Sequence, residues 1–220
     1  MLDEDSNKND WPRYSKNTVH HLHIRDRNAM DKFVGYFPNA KELTLLKSFD
    51  LIDDQVITSL NCIIPLTQLT QLSLDYSRLS VEQIVKLLYF APNIHTLKLE
   101  FLPIRSTYAE SNELFQIVST TNTVKNVTIT KESILKHIEL LVSLFPRVEY
   151  LTVNVYKENL QSIARFLLSK SNDNTRHLCL LCISKQRNDM MGELQSLLDS
   201  ENLLDDYILK MINRKLHLWW

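Results

Sequence analysis

Apolar and polar positions alternate along the chain in one recurring frame. An apolar residue is followed by two polar positions, then an aliphatic residue, one polar position and a second aliphatic residue. Ile94/Leu97/Leu99, inside the stretch from Phe90 to Glu100, is the clearest copy. The others are Val19/Leu22/Ile24, Ala40/Leu43/Leu45, Leu69/Leu72/Leu74, Val124/Val127/Ile129 and Val148/Leu151/Val153. A seventh copy is read at Leu178/Leu180, with Thr175 in the first slot. Leu22 to Leu178 spans 156 residues over six intervals, a mean period of 26. Alternation with period two predicts a short, half-buried strand at each copy.

Helical patterns fill the intervals. Ser80-Val81-Glu82-Gln83 reads as a capping box, followed by the stripe Ile84, Leu87 and Leu88. Pro92 then stops the helix, because it lacks an amide and clashes with the preceding turn. Asp53 or Asp54 precedes Val56, Ile57 and Leu60, with Pro65 after them. Ile134, Leu135, Ile138, Leu141 and Leu144 precede Pro146. Leu160, Ile163, Phe166 and Leu167 form a further stripe, and Met191, Leu194, Leu197 and Leu198 another.

A strand-helix unit of this length cannot close a core alone, so neighbours must stack. Each strand-helix-strand step predicts a right-handed crossover and parallel strands. The expected fold is α/β: a curved, right-handed solenoid of about seven strand-helix repeats, parallel strands on its concave side. Residues 19–202 form the array. Residues 1–18 are a polar segment in which Trp11, Pro12 and Tyr14 cover the open end. Residues 203–220 form the opposite cap. There Leu216, Leu218 and Trp220 alternate as in a strand, and Asn213-Arg214 suits a hairpin turn. A helix through Leu204, Ile208, Met211 and Lys215 is the rival reading.

The frame and its helix resemble leucine-rich repeats, of the irregular kind in ribonuclease-inhibitor-like and F-box-associated arrays. The lead-ins Pro38-Asn39 and Pro92-Asn93 resemble those of F-box repeat proteins. The likeness covers roughly residues 19 to 185. The Asn that usually follows the Leu-x-Leu strand is missing. The resemblance implies partner recognition on the concave strands, and ubiquitin-ligase subunits as further partners. An F-box itself needs several dozen helical residues ahead of the repeats, and the 18 before Val19 do not resemble one.

Composition narrows the chemistry. The formal net charge of -1 gives no general attraction to nucleic acid or an acidic membrane. Two glycines, Gly35 and Gly192, leave no phosphate-cradling loop. Three cysteines are too few for a disulfide framework and suit a reduced, cytoplasmic or nuclear setting. The acidic start Met-Leu-Asp-Glu-Asp-Ser does not read as a signal peptide, and no apolar run reaches the roughly 18 residues of a membrane helix.

If the frame leucines point inward, the intervening residues face the concave surface. They are His21, His23 and Arg25; Glu42, Thr44 and Leu46; Gln71, Ser73 and Asp75; and Thr96, Lys98 and Glu100. Asn126, Thr128 and Thr130 follow, then Tyr150, Thr152 and Asn154, then His177, Cys179 and Leu181. These are the candidate partner-binding residues.

Cys179-x-x-Cys182 lacks the second pair a structural zinc site needs, and Cys182 is expected as a small core residue. His21 and His23 share a face but have no adjacent carboxylate or Cys ligand. Lys210, Arg214 and Lys215 near Trp219 and Trp220 are read as part of a cap, ahead of a nucleic-acid or membrane tail. The sequon Asn126-Val127-Thr128 falls in a predicted strand. Catalytic motifs are absent, so the chain reads as a non-enzyme without metal or cofactor. The expectation is a monomeric protein-binding array, a substrate receptor like those of F-box ligases. The alternative is a free-standing regulator of the ribonuclease-inhibitor kind.

Overall fold

The computed structural model describes residues 16–33, 35–48, 53–75, 79–100, 102, 112–184 and 189–220. The cap expected at Trp11, Pro12 and Tyr14 lies outside them. The frames become strands: β1 (His21–Asp26), β2 (Glu42–Ser48), β3 (Gln71–Leu74), β4 (Thr96–Leu99), β5 (Asn126–Ser133) and β6 (Tyr150–Val155). A seventh, β7 (Leu180–Ser184), precedes a terminal pair, β8 (Ile208–Ile212) and β9 (Lys215–Trp219). The connecting helices are α1 (Arg27–Asp31), α2 (Asp54–Ile63), α3 (Val81–Phe90), α4 (Glu113–Thr121), α5 (Leu135–Leu144), α6 (Lys157–Leu167) and α7 (Met190–Glu201).

The chain is therefore an α/β protein built on one nine-stranded, mostly parallel sheet. Strands β1 to β7 pair in sequence order and in parallel; β9 then pairs antiparallel with both β7 and β8. Among the described residues the sheet is open, with β1 and β8 at its edges. Among the described residues no helix is long and apolar enough to cross a membrane.

Side-chain caps start α2, α3 and α4. The Asp53 carboxylate accepts from the Val56 amide at 2.8 Å. Ser80 and Gln83 exchange two bonds, at 3.2 and 2.9 Å, as a full capping box. The Asn112 side chain accepts from the Leu114 amide at 2.9 Å. Each satisfies amides that have no partner within the helix. At the other end of α7, Asn202 adopts the left-handed conformation (φ 49°) and closes the helix.

One backbone motif repeats at all six junctions between parallel strands: a single carbonyl accepts two successive amides of the next unit. The acceptors are His20, Lys41, Thr70, His95, Lys125 and Glu149. The Pro-Asn lead-ins have a related task. Asn39 donates to the Asn17 carbonyl and Asn93 to the Thr67 carbonyl, both at 2.8 Å, tying each unit to the one before it.

The inward strand residues, from Leu43 and Leu45 to Leu151 and Val153, join the helix stripes in one continuous core. Burying each such side chain is worth about 1.5–3 kcal/mol. Three helix expectations need correction. Met190, not Met191, joins Leu194, Leu197 and Leu198 on the buried side of α7. Ile134 is exposed, because it precedes the first turn of α5 instead of lying in its stripe. Phe166 is only half-buried.

The seventh frame is displaced by three residues. Leu181 and Ile183 are the buried strand residues, in register with Leu151 and Val153. Leu178 fills the leading apolar slot and is buried. The complete frame is Leu178/Leu181/Ile183, and it needs no Thr exception. His177 and Cys179 thus precede the strand, and Leu181 lies in the core, not on the opposite face.

Candidate functional site

The helices cover one face of the sheet, and the other face is composed by strand register. In the first row, His21, Glu42, Gln71, Thr96, Asn126, Tyr150 and Leu180 stand side by side, continued by Trp219 and Ile208. In the second row, His23, Thr44, Ser73, Lys98, Thr128 and Thr152 lead to Cys182, His217 and Lys210. The two rows hold the first two residues expected on this face from each of the first six strands, while the part built by β7, β9 and β8 was not expected. The signal was present: Leu216 and Leu218 mark the buried parity of β9, so Lys215, His217 and Trp219 take the other.

The face has two halves of different chemistry. On the first strands the side chains form a polar network. His21 Nε2 lies 2.9 Å from Thr44 Oγ1, and its Nδ1 lies 3.4 Å from Glu42 Oε2. Gln71 donates to Glu42 Oε1 at 3.0 Å. The His21 and His23 rings lie 4.0 Å apart. Arg25, Asp75 and Lys98 are exposed, while Ser73, Thr96 and Leu46 are half-buried. Across the last strands the first row turns apolar: Tyr150, Leu180, Trp219, Ile208.

Three face residues expected in solvent are buried. Thr44 is covered by the His21 contact. Glu100 is 6% exposed; Lys131 meets its Oε1 at 2.7 Å, and its buried Oε2 has no hydrogen-bond partner among the described residues. Asn154, 2% exposed, holds a buried Nδ2 equally unpartnered. Thr128, Thr130, Asn126 and Thr152 are half-buried.

Cys182 is buried as expected, but on this face and not in the core between sheet and helices. Its Sγ lies 3.7 Å from His217 Nε2, and His217 stacks on Trp219 with centroids 5.2 Å apart. Burial pushes the Cys182 thiol up. Burial, then the Lys215 charge, pushes the His217 imidazole down. Both shifts favour neutral groups, the reverse of a thiolate-imidazolium nucleophile.

His177 is exposed ahead of β7 and accepts from Arg176 Nε at 3.1 Å. Cys179 bonds the Glu149 carbonyl at 3.3 Å. Among the described residues no three His, Cys, Asp or Glu side chains converge as metal ligands. A cleft of about 490 Å³ opens among Phe115, Ser119, Ser143, Arg147 and Arg176. There the Arg147 guanidinium already donates to the Asn122 carbonyl at the end of α4. Comparison with known proteins finds no matching family model, no similar curated protein and no similar solved structure.

Proposed function

We propose that the chain is a protein-recognition array of the leucine-rich-repeat type, a curved solenoid that holds a partner polypeptide against its uncovered strand face. One observation carries the reading: nine strands align their outward residues into two continuous rows, polar on the first strands, the first of them turning aromatic-aliphatic on the last. Tyr150, Leu180, Trp219 and Ile208 are the chemistry of an interface anchor, since large rigid side chains bury much area at small entropic cost. The network of His21, Glu42 and Gln71, with Lys98 and Asp75 beside it, would orient the partner and reject wrong charge patterns.

In this reading the chain performs no catalytic step, takes no metal or cofactor, and acts as a monomer in the cytoplasm or nucleus. Two roles share the surface. One is a substrate receptor like those of F-box ligases, which also engages ligase subunits. The other is a free-standing regulator or scaffold. A reading frame that runs upstream into an F-box would favour the first.

The test is affinity capture with mass spectrometry on three baits. These are the intact chain, a variant with Glu42, Asp75, Lys98 and Tyr150 changed to Ala, and a helix-side control with Glu82 and Glu139 changed to Ala. The proposal expects a partner kept by the first and third baits and lost by the second. A partner kept by all three contradicts it, provided the three melt alike. Cullin or adaptor subunits retained alongside the target select the receptor role.

A further inference from the structure

The outermost strand is built unlike a terminus left in water. β8 reads Ile-Leu-Lys-Met-Ile, and Ile208, Met211 and Ile212 are 52%, 45% and 42% exposed. A strand that closes an array is normally made polar, short or otherwise blocked, because its free edge invites pairing. Here four of the five residues are apolar.

The register defines that edge. Ile212 and Lys215 flank the two-residue turn Asn213-Arg214, whose φ values of 51° and 61° match a type I′ hairpin. The flanking pair exchanges both backbone bonds, and the pattern alternates along the ladder. Ile212, Lys210 and Ile208 therefore spend their amides and carbonyls on β9. Leu209 and Met211 turn theirs to the outside. Among the described residues nothing pairs with that side of β8.

Charge selects the occupant. Lys210 stands at the centre of the strand, with Arg214 and Lys215 at the turn, all exposed. Of the carboxylates just ahead of the strand, Asp205 is held by Lys170 at 3.1 Å, and Asp206 lies two residues before Ile208. A second copy of the chain, paired antiparallel about the strand centre, would set Lys210 against Lys210, and like charges directly opposite are destabilising. We infer that the outer edge of β8 is a strand-addition site for an extended segment of another polypeptide, one carrying a carboxylate between apolar residues. Backbone bonds to Leu209 and Met211 supply the pairing, and the carboxylate opposite Lys210 supplies the choice. The site adjoins the far end of the face rows, whose last residues, Ile208 and Lys210, belong to this strand.

The experiment titrates the 15N-labelled full chain with two heptapeptides, Thr-Val-Ile-Glu-Ile-Val-Thr and its counterpart with Lys in place of Glu. The Glu peptide is expected to shift the Leu209 and Met211 amides and to bind about three- to thirtyfold tighter than the Lys peptide. Lys210→Glu reverses that preference. Met211→Pro removes an outward amide while sparing the bonds to β9, and it abolishes binding with the hairpin signals intact. Changing Glu42 and Lys98 to Ala leaves peptide binding as it was, which separates this site from the polar half of the face. Equal affinity for both peptides overturns the inference, as does the absence of shifts at Leu209 and Met211 at millimolar peptide. A concentration-dependent dimer abolished by Met211→Pro overturns it in favour of a second copy.

Discussion

Neighbouring residues of one strand do opposite work. Leu97 is fully buried among the strand and helix side chains, while Lys98 projects into solvent on the other face. Leu97→Ala should cost about 2–5 kcal/mol, because the surrounding core cannot collapse onto the cavity. Lys98→Ala should stay within about 0.5 kcal/mol. Thermal melts decide this; equal losses would mean that the register assigned to this strand is wrong. This parity was legible in the sequence, because alternation is local. The burial of Glu100 and Asn154 was not. It depends on what the adjacent strands place beside them, and no spacing within one strand carries that.

Helix starts show how a local signal can be chemically unusual. α5 begins at Leu135, and the Ile134 amide donates to His137 Nδ1 at 3.2 Å, taking the place that Glu or Gln fills in a common capping box. The bond needs neutral imidazole with its proton on Nε2. Burial holds the His137 pKa below its ordinary value. Burial, then the Lys215 charge, does the same for His217. With folded values below about 6.5, the unfolded chain binds more protons as pH falls through that value. Stability should therefore be complete above about pH 6.5 and decline on acidification below it. His137→Gln keeps an acceptor at the same position without a titrating group, so its urea midpoint should fall less between pH 7.5 and pH 5.5 than that of the unaltered chain. A fall as large as the parent's would remove His137 from the account.

Most of the element order followed from the sequence because each frame repeats an inward pair and several intervals carry a cap or stop, whereas α1 and α4 match no stripe read from the sequence. The register of the last frame did not. Leu178 and Leu180 mimic the spacing of the inner pair, whereas Leu178, Leu181 and Ile183 complete the whole frame without Thr175. The alternation in the tail marked Leu216 and Leu218 as inward. Pairing decides the rest: β9 inserts between β7 and β8, so the strand later in sequence lies nearer the array.

At the scale of the molecule, each unit touches chiefly its neighbours, and the same pair of bonds from one carbonyl recurs at every parallel junction. In the proposed solenoid, stability approximates a sum of unit and interface terms, so damage at one junction spreads to adjacent units before it reaches the ends. The same register delivers the outward rows as one surface, which in the proposed function meets the partner across several strands. The central claim is that this surface, and not the helix side, meets the partner. Site-specific photo-crosslinking tests it most directly, with a photoreactive residue placed in turn at Gln71, Lys98 and Tyr150 on the strand face and at Glu82 and Glu139 on the helices. The account predicts a shared partner adduct from the three strand positions and none from the two helix positions. The same adduct from the helix positions, with none from the strands, would contradict it.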